Sequence, residues 1–164
     1  MIYLGIDVGK SGALAVIYDN GLEITAEAID FNDPKLVYKL NNLASNVTVA
    51  YIEKVSSMPN QGVASTFSFG TNYGWWHGVM DTLGIPYELV RPQEWMKSLS
   101  LPKNAPTKDA AIKTRYRKER KVAISNIARR LFPKVELVTQ RGKILDGRSD
   151  ALMIANYARK VYGK

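Results

Sequence analysis

The stretch Met1 to Ile17, MIYLGIDVGKSGALAVI, decides how the rest of the chain is read, because it sets a carboxylate at the crest of an apolar strand pair. Ile2, Leu4 and Ile6 recur at every second position of one strand, Ala13, Ala15 and Ile17 do the same in another, and Gly9, Lys10, Ser11 and Gly12 supply the turn between them. Asp7 stands where the first strand meets that turn. An ionised carboxylate beside a packed sheet is costly unless it is paired, hydrogen-bonded or bound to a metal. Two readings are open on these residues alone: an Asp that hydrogen-bonds its own Gly-rich turn, or one member of a larger acidic site.

The chain downstream supplies the elements needed to choose. Asp19, Asn20 and Gly21 make a second tight turn into a strand over Leu22 to Ile29, so three antiparallel strands are expected. Asp33 and Pro34 signal a helix start, and Leu36, Val37, Leu40 and Leu43 follow at helical spacing. Val47 to Ile52 is a near-continuous apolar run, the pattern of a strand covered on both faces, and it ends in Glu53. That places a second acid at the end of a central strand, where open α/β sheets usually carry their chemistry. A polar loop, Ser56 to Gly62, leads into a long helical segment containing Phe67, Phe69, Trp75, Trp76, Val79 and Leu83, which Gly84 stops. The Trp pair reads as core or subunit contact ahead of base stacking. His77, the single histidine, is assigned no role.

Ile85 to Val90 reads as a strand, followed by a helical turn with Trp95 and Lys97. From there to Arg130 the chain is basic. Lys97, Lys103, Lys108, Lys113, Arg115, Arg117, Lys118, Arg120, Lys121, Arg129 and Arg130 face only Asp109 and Glu119, a net +9 against +8 for the whole chain. The remainder is close to neutral, as expected if one surface is built for phosphates. Pro102 and Pro106 keep the start of this block extended; Thr107 to Lys121 suits a helix whose apolar face, Val122, Ile124, Ile127, Ala128 and Leu131, ends before Pro133. A solvated helical face is the plainer alternative, although such faces tend to mix charge signs. A polar loop over Leu137 to Lys143, with a short strand at Val135 to Val138, leads to a final helix beginning near Asp146. Asp146 and Asp150 are four apart and share a face of it. Capping the helix dipole explains one such acid better than two.

Composition narrows the class further. A chain of 164 residues suits one domain spanning 1–164, large enough to bury roughly two thirds of its unfolded surface. With no cysteine there is neither a disulfide framework nor a thiolate zinc site, which agrees with a reducing, cytoplasmic setting. No apolar run approaches the ~20 residues of a membrane span, so no membrane partner is expected.

Asp7, Glu53, Asp146 and Asp150 thus lie on three separate elements beside apolar sequence, and oxygen-only ligands favour Mg²⁺ or Mn²⁺. Two such ions can activate a water and stabilise the leaving oxygen of a phosphodiester. The segments LGIDVGKSGALAV, VAYIEKV and DGRSDALMIANYA resemble the RuvC family of RNase H-like Holliday junction resolvases, its bacteriophage members in particular, and EKVSSMPN, FGTNYG and VRPQEWMKSL extend the similarity over nearly the whole chain. The resemblance implies an α/β, RNase H-like fold: a mixed five-stranded sheet, three antiparallel strands then parallel ones, with helices on both faces. It also implies a homodimer and Mg²⁺-dependent paired nicking of four-way DNA junctions in the host cytoplasm.

Carried over position by position, Asp7, Glu53 and Asp150 match metal ligands of that family. The family's remaining ligand, three residues before Asp150, falls on Gly147, with Asp146 the nearest acid. Lys97 and Lys121 fall near lysines that assist at the scissile phosphate. The expected catalytic set is therefore Asp7, Glu53, Asp146, Asp150 and Lys121, the four acids being the metal ligands. Lys97, Lys103, Lys108, Lys113, Arg115, Arg117, Lys118 and Arg120 are expected on DNA. Three other readings compete. The sugar-kinase and actin type of ATPase also opens on an Asp-bearing hairpin, but it requires a second such hairpin and IDVGKSG is not repeated, so no nucleotide cofactor is expected. An RNA-processing nuclease of the same fold and a non-catalytic basic junction-binding protein are the others.

Overall fold

The computed structural model describes residues 1–55, 62–101 and 109–163. The loop expected before Gly62 and the segment carrying Pro102, Lys103, Pro106 and Lys108 lie outside the described residues. Five strands, β1 (Ile2–Asp7), β2 (Ala13–Asp19), β3 (Ile24–Asp30), β4 (Val49–Glu53) and β5 (Tyr87–Val90), form one sheet in the order β3-β2-β1-β4-β5. β1, β2 and β3 are antiparallel neighbours, whereas β4 runs parallel to β1 and β5 parallel to β4. This is the mixed sheet expected from the sequence.

Helices α1 (Leu36–Leu43) and α2 (Val63–Leu83) cover one face, and α3 (Pro92–Lys97), α4 (Ala110–Leu131) and α5 (Asp146–Tyr162) cover the other. Strand alternation divides the core accordingly. Leu4, Ile6, Leu14, Val16, Ala50 and Ile52 pack with Leu36, Leu40, Trp76 and Met80, while Tyr3, Ala13, Ala15, Ile17, Val49 and Tyr51 pack with Trp95, Ile124, Ala128 and the buried side of α5. Trp76 is wholly buried and makes edge-to-face contact with Trp75, as the core reading of the pair expects.

Three local expectations need correction. β3 begins at Ile24 rather than Leu22, because the Asn20 side chain accepts the N–H groups of both Leu22 and Glu23 and so takes them into the turn; Leu22 is left fully in solvent. The short strand expected over Val135 to Val138 reduces to a single bridge between Val138 and Ile144. Val37, placed on the apolar side of α1, is exposed, and Leu36 and Leu40 alone are buried there. Asp109 caps α4 by accepting the N–H of Ile112 at 2.9 Å.

Candidate active site

Pairing register brings the first two acids together. β1 and β4 are parallel neighbours with Ile6 opposite Ile52, so the next residues, Asp7 and Glu53, end the two strands side by side. Residues in register on adjacent strands point to the same face. Tyr3 and Tyr51 show that this face is the one covered by α3, α4 and α5. Asp7 Oδ1 accepts the N–H of Gly9 at 3.0 Å, so the turn bond foreseen as its plainer role is present. Glu53 Oε1 accepts the indole N–H of Trp95, also at 3.0 Å.

The second pair arrives on α5, and two glycines decide how near. A Cβ at Gly5 would stand 2.1 Å from the Ala151 carbonyl oxygen and 2.2 Å from the Ala155 nitrogen, so helix backbone lies directly on β1. A Cβ at Gly147 would stand 1.9 Å from the Ser11 carbonyl oxygen, which seats the first turn of α5 on the β1–β2 turn. With α5 pinned at both points, Asp150, just before Ala151, is held beside Asp7. The same contact explains the glycine at 147: a carboxylate there would have to pass through the Ser11 backbone. Asp146 occupies the first turn without capping it, since the cap position is Leu145 and no side chain caps the helix. Its carboxylate pairs instead with the ammonium of Lys121, which reaches over from α4.

All four acids are partly buried, and the shifts of three show that they feel one another. Burial, then Asp146, raises Asp7 above the usual aspartate range, with the Gly9 N–H and Lys121 opposing. Glu53 is pushed up to about 7 by burial and by Asp7, with the Trp95 N–H opposing. Asp150 is raised well above its ordinary value by burial, then Asp7, Glu53 and Asp146, and Lys121 opposes weakly. Lys121 is raised by its bond to Asp146 and by the charges of Asp150 and Asp7. Asp150 Oδ1 is buried and has no hydrogen-bond partner among the described residues. Among the same residues, no three His, Asp or Glu side chains already stand in ligating geometry around one point.

Six of the remaining expected site residues lie on α3 and α4. Lys97 closes α3 and is exposed; Lys113, Arg115, Arg117 and Lys118 are exposed along the first half of α4, and Arg120 is partly buried. Arg115 also pairs with Glu119 one turn on. Lys103 and Lys108 lie outside the described residues. Sequence reasoning missed Trp95 as a partner of the site. Its signal was the pairing requirement of a buried indole N–H, which does not itself say where the partner lies. His77 sits apart, with its Nδ1 and the Tyr87 hydroxyl 3.0 Å from each other.

No protein-family model matches the sequence, and no curated protein matches it. Solved structures do match. The chain is similar to "T. thermophilus RuvC in complex with Holliday junction substrate", with a TM-score of 0.57 at 13% identity over 99% of this chain and 97% of that one. It is also similar to "Thermus thermophilus RuvC structure", with a TM-score of 0.54 at 16% identity over 98% and 97%. At these identities the likeness is one of architecture, and the chain has a RuvC-like, RNase H-like fold.

Proposed function

We propose that this protein is a Mg²⁺-dependent endodeoxyribonuclease that resolves four-way and other branched DNA junctions by paired phosphodiester hydrolysis. The reading rests on Asp7 and Glu53 ending neighbouring parallel strands, with Asp150 at the start of α5 near enough to feel both charges, within a fold shared with a protein solved on a Holliday junction. The donor set fits a hard divalent cation. Every candidate ligand atom is a carboxylate oxygen, one of them is buried without a partner, and the mutual repulsion of the group is what a cation would relieve. When bound, a pair of Mg²⁺ ions, or Mn²⁺ in its place, supplies an activated water and stabilisation of the leaving oxygen.

The chain's own residues do the rest. Asp7, Glu53 and Asp150 hold the cations; Asp146 completes the acidic rim and orients Lys121 through their ion pair. The Lys121 ammonium then stands beside the acids, where it can neutralise charge developing on the phosphate. Lys97 and the exposed cations of α4, together with Lys103 and Lys108, hold backbone phosphates and so fix position more than sequence.

Paired nicks need two active sites related by a two-fold axis, and a homodimer supplies them. The face offered for it is on α2, where Gly70, Gly74 and Gly78 recur every fourth residue and a Cβ at any of them would meet nothing within 4 Å. Each helical glycine costs about 1 kcal/mol relative to alanine, a cost that bare backbone for close approach of a second helix would offset. Val63 and Phe67 are exposed on the same helix.

Labelled four-way junction, matched linear duplex and branched RNA, each incubated with the protein with and without Mg²⁺, test the reading. Paired nicks in the junction that require Mg²⁺ are expected, from a protein that sediments as a dimer. Preferential cutting of the RNA would move the substrate class, and metal-independent binding without any cutting would make it a junction-binding protein.

A further inference from the structure

We infer that Trp95 is a positioning residue: its indole N–H fixes one oxygen of the Glu53 carboxylate and limits the rotamers of that side chain, so that Trp95 sets divalent-cation affinity while leaving DNA affinity alone. This rests on the reading of Glu53 as a metal ligand. The bond runs from α3 to the end of β4, between residues 42 apart in sequence, at 3.0 Å. Its donor sits in packed core. Trp95 is wholly buried in the cluster that holds Tyr51, Val90, Leu99 and the inner side of α5. Its helix is closed on itself by the Arg91 N–H, which donates to Glu94 Oε2 at 2.7 Å, and by the Ser98 hydroxyl, which donates to the Trp95 carbonyl at 2.7 Å.

Burial alone does not account for this bond. Trp76 is equally buried, and its indole nitrogen has no hydrogen-bond partner among the described residues, so the fold tolerates an unpaired buried indole elsewhere. What Trp95 adds is a neutral donor aimed at one oxygen of a flexible acid. Asp7 receives the equivalent service from the Gly9 N–H. A glutamate fixed in this way loses fewer rotamers when it binds a cation, and donors of this kind are worth about ten- to a hundredfold in metal affinity. They do so without bringing in a charge that would compete with the cation or attract the DNA.

The test uses the full-length chain. Replacement Trp95→Phe removes the N–H and keeps an aromatic ring in the core; Trp76→Phe is the matched control. With Mn²⁺ binding followed by electron paramagnetic resonance, Trp95→Phe should weaken binding about tenfold or more and Trp76→Phe less than twofold. Both should bind a four-way junction in EDTA as the parent does. In the unmodified protein with ¹⁵N-labelled indoles, the Trp95 N–H signal should shift along a Mg²⁺ titration with the midpoint of cation binding, and this measurement decides the matter if Trp95→Phe does not fold. Unchanged Mn²⁺ affinity in a folded Trp95→Phe, or a Trp95 signal that stays fixed at saturating Mg²⁺, overturns the inference while a parent that binds metal and cuts junctions leaves the nuclease reading intact. A parent that neither binds Mn²⁺ nor cuts removes both.

Discussion

Replacing Glu53 by Gln should make the metal-free protein more stable at neutral pH, although it removes a residue of the proposed catalytic site. In the folded chain the Glu53 carboxyl is raised from 4.5 to about 7, by burial first and by Asp7 second. The unfolded chain therefore ionises this group first as pH rises. Below about pH 4.5 both states are protonated and the group contributes nothing; between there and pH 7 stability falls; above pH 7 the full penalty is in force. At about 1.4 kcal/mol per tenfold change in the ionisation constant, that penalty is about 3 kcal/mol at pH 7.5. Gln carries no charge to desolvate, and its amide oxygen can still accept the Trp95 N–H. Relief also reaches Asp150, which Glu53 helps to push up. For a chain of this size, about 3 kcal/mol corresponds to roughly 6 to 12 °C in melting temperature. Melting curves of parent and Glu53→Gln in EDTA between pH 5 and 8 should diverge as pH rises, the parent losing more stability than the variant, which keeps the raised Asp7 and Asp150. Adding Mg²⁺ should restore the parent through binding to the native state and leave the variant nearly unmoved. A variant that melts below the parent at pH 7.5 in EDTA, with the same pH dependence, would refute the claim that repulsion and burial at this cluster await a cation.

Three further outcomes bear on the rest of the site. Removing Arg115, Arg117 and Lys118 together should lower junction affinity and reduce the log-affinity against log-salt slope by about 2.7, at ~0.9 for each phosphate no longer neutralised; unchanged slope would mean a solvated surface. Asp146→Asn breaks a partly exposed ion pair, so stability should change by less than about 1 kcal/mol, while single-turnover nicking slows as Lys121 loses its orienting partner. Loss of nicking as complete as in Asp7→Asn would instead make Asp146 an indispensable ligand. Gly5→Ala sets a methyl group against the backbone of Ala151 and Ala155, so it should cost about 3 kcal/mol or more, and a melting temperature equal to the parent's would show that α5 does not sit on β1 as described.

The sequence by itself determined the order of the main strands and helices and singled out the candidate acids, because each of these is written in local order. Period-two alternation around Asp7 and Glu53, turn residues at Gly9 to Gly12 and at Asn20, and the helical spacing behind Asp150 specify elements within a few residues of themselves. The Asn20 turn shows the limit of that legibility: one side-chain oxygen accepting the N–H groups of both Leu22 and Glu23 moved the start of β3 by two residues. Only tertiary structure decided which acids share one environment. The parallel register of β1 and β4 set Asp7 beside Glu53, and the bare backbone at Gly5 and Gly147 brought α5 close enough for Asp150 to join them. Likewise, Asp146 reads in sequence as a metal ligand or a helix-capping acid, and its pairing with Lys121 depends on α4 crossing α5; Trp95 reads only as part of a helical turn, and its bond to Glu53 spans two elements that no local pattern connects. Local propensity and periodicity act over one or two turns of chain, whereas the charge coupling and hydrogen bonding that make a site act through space between segments tens of residues apart.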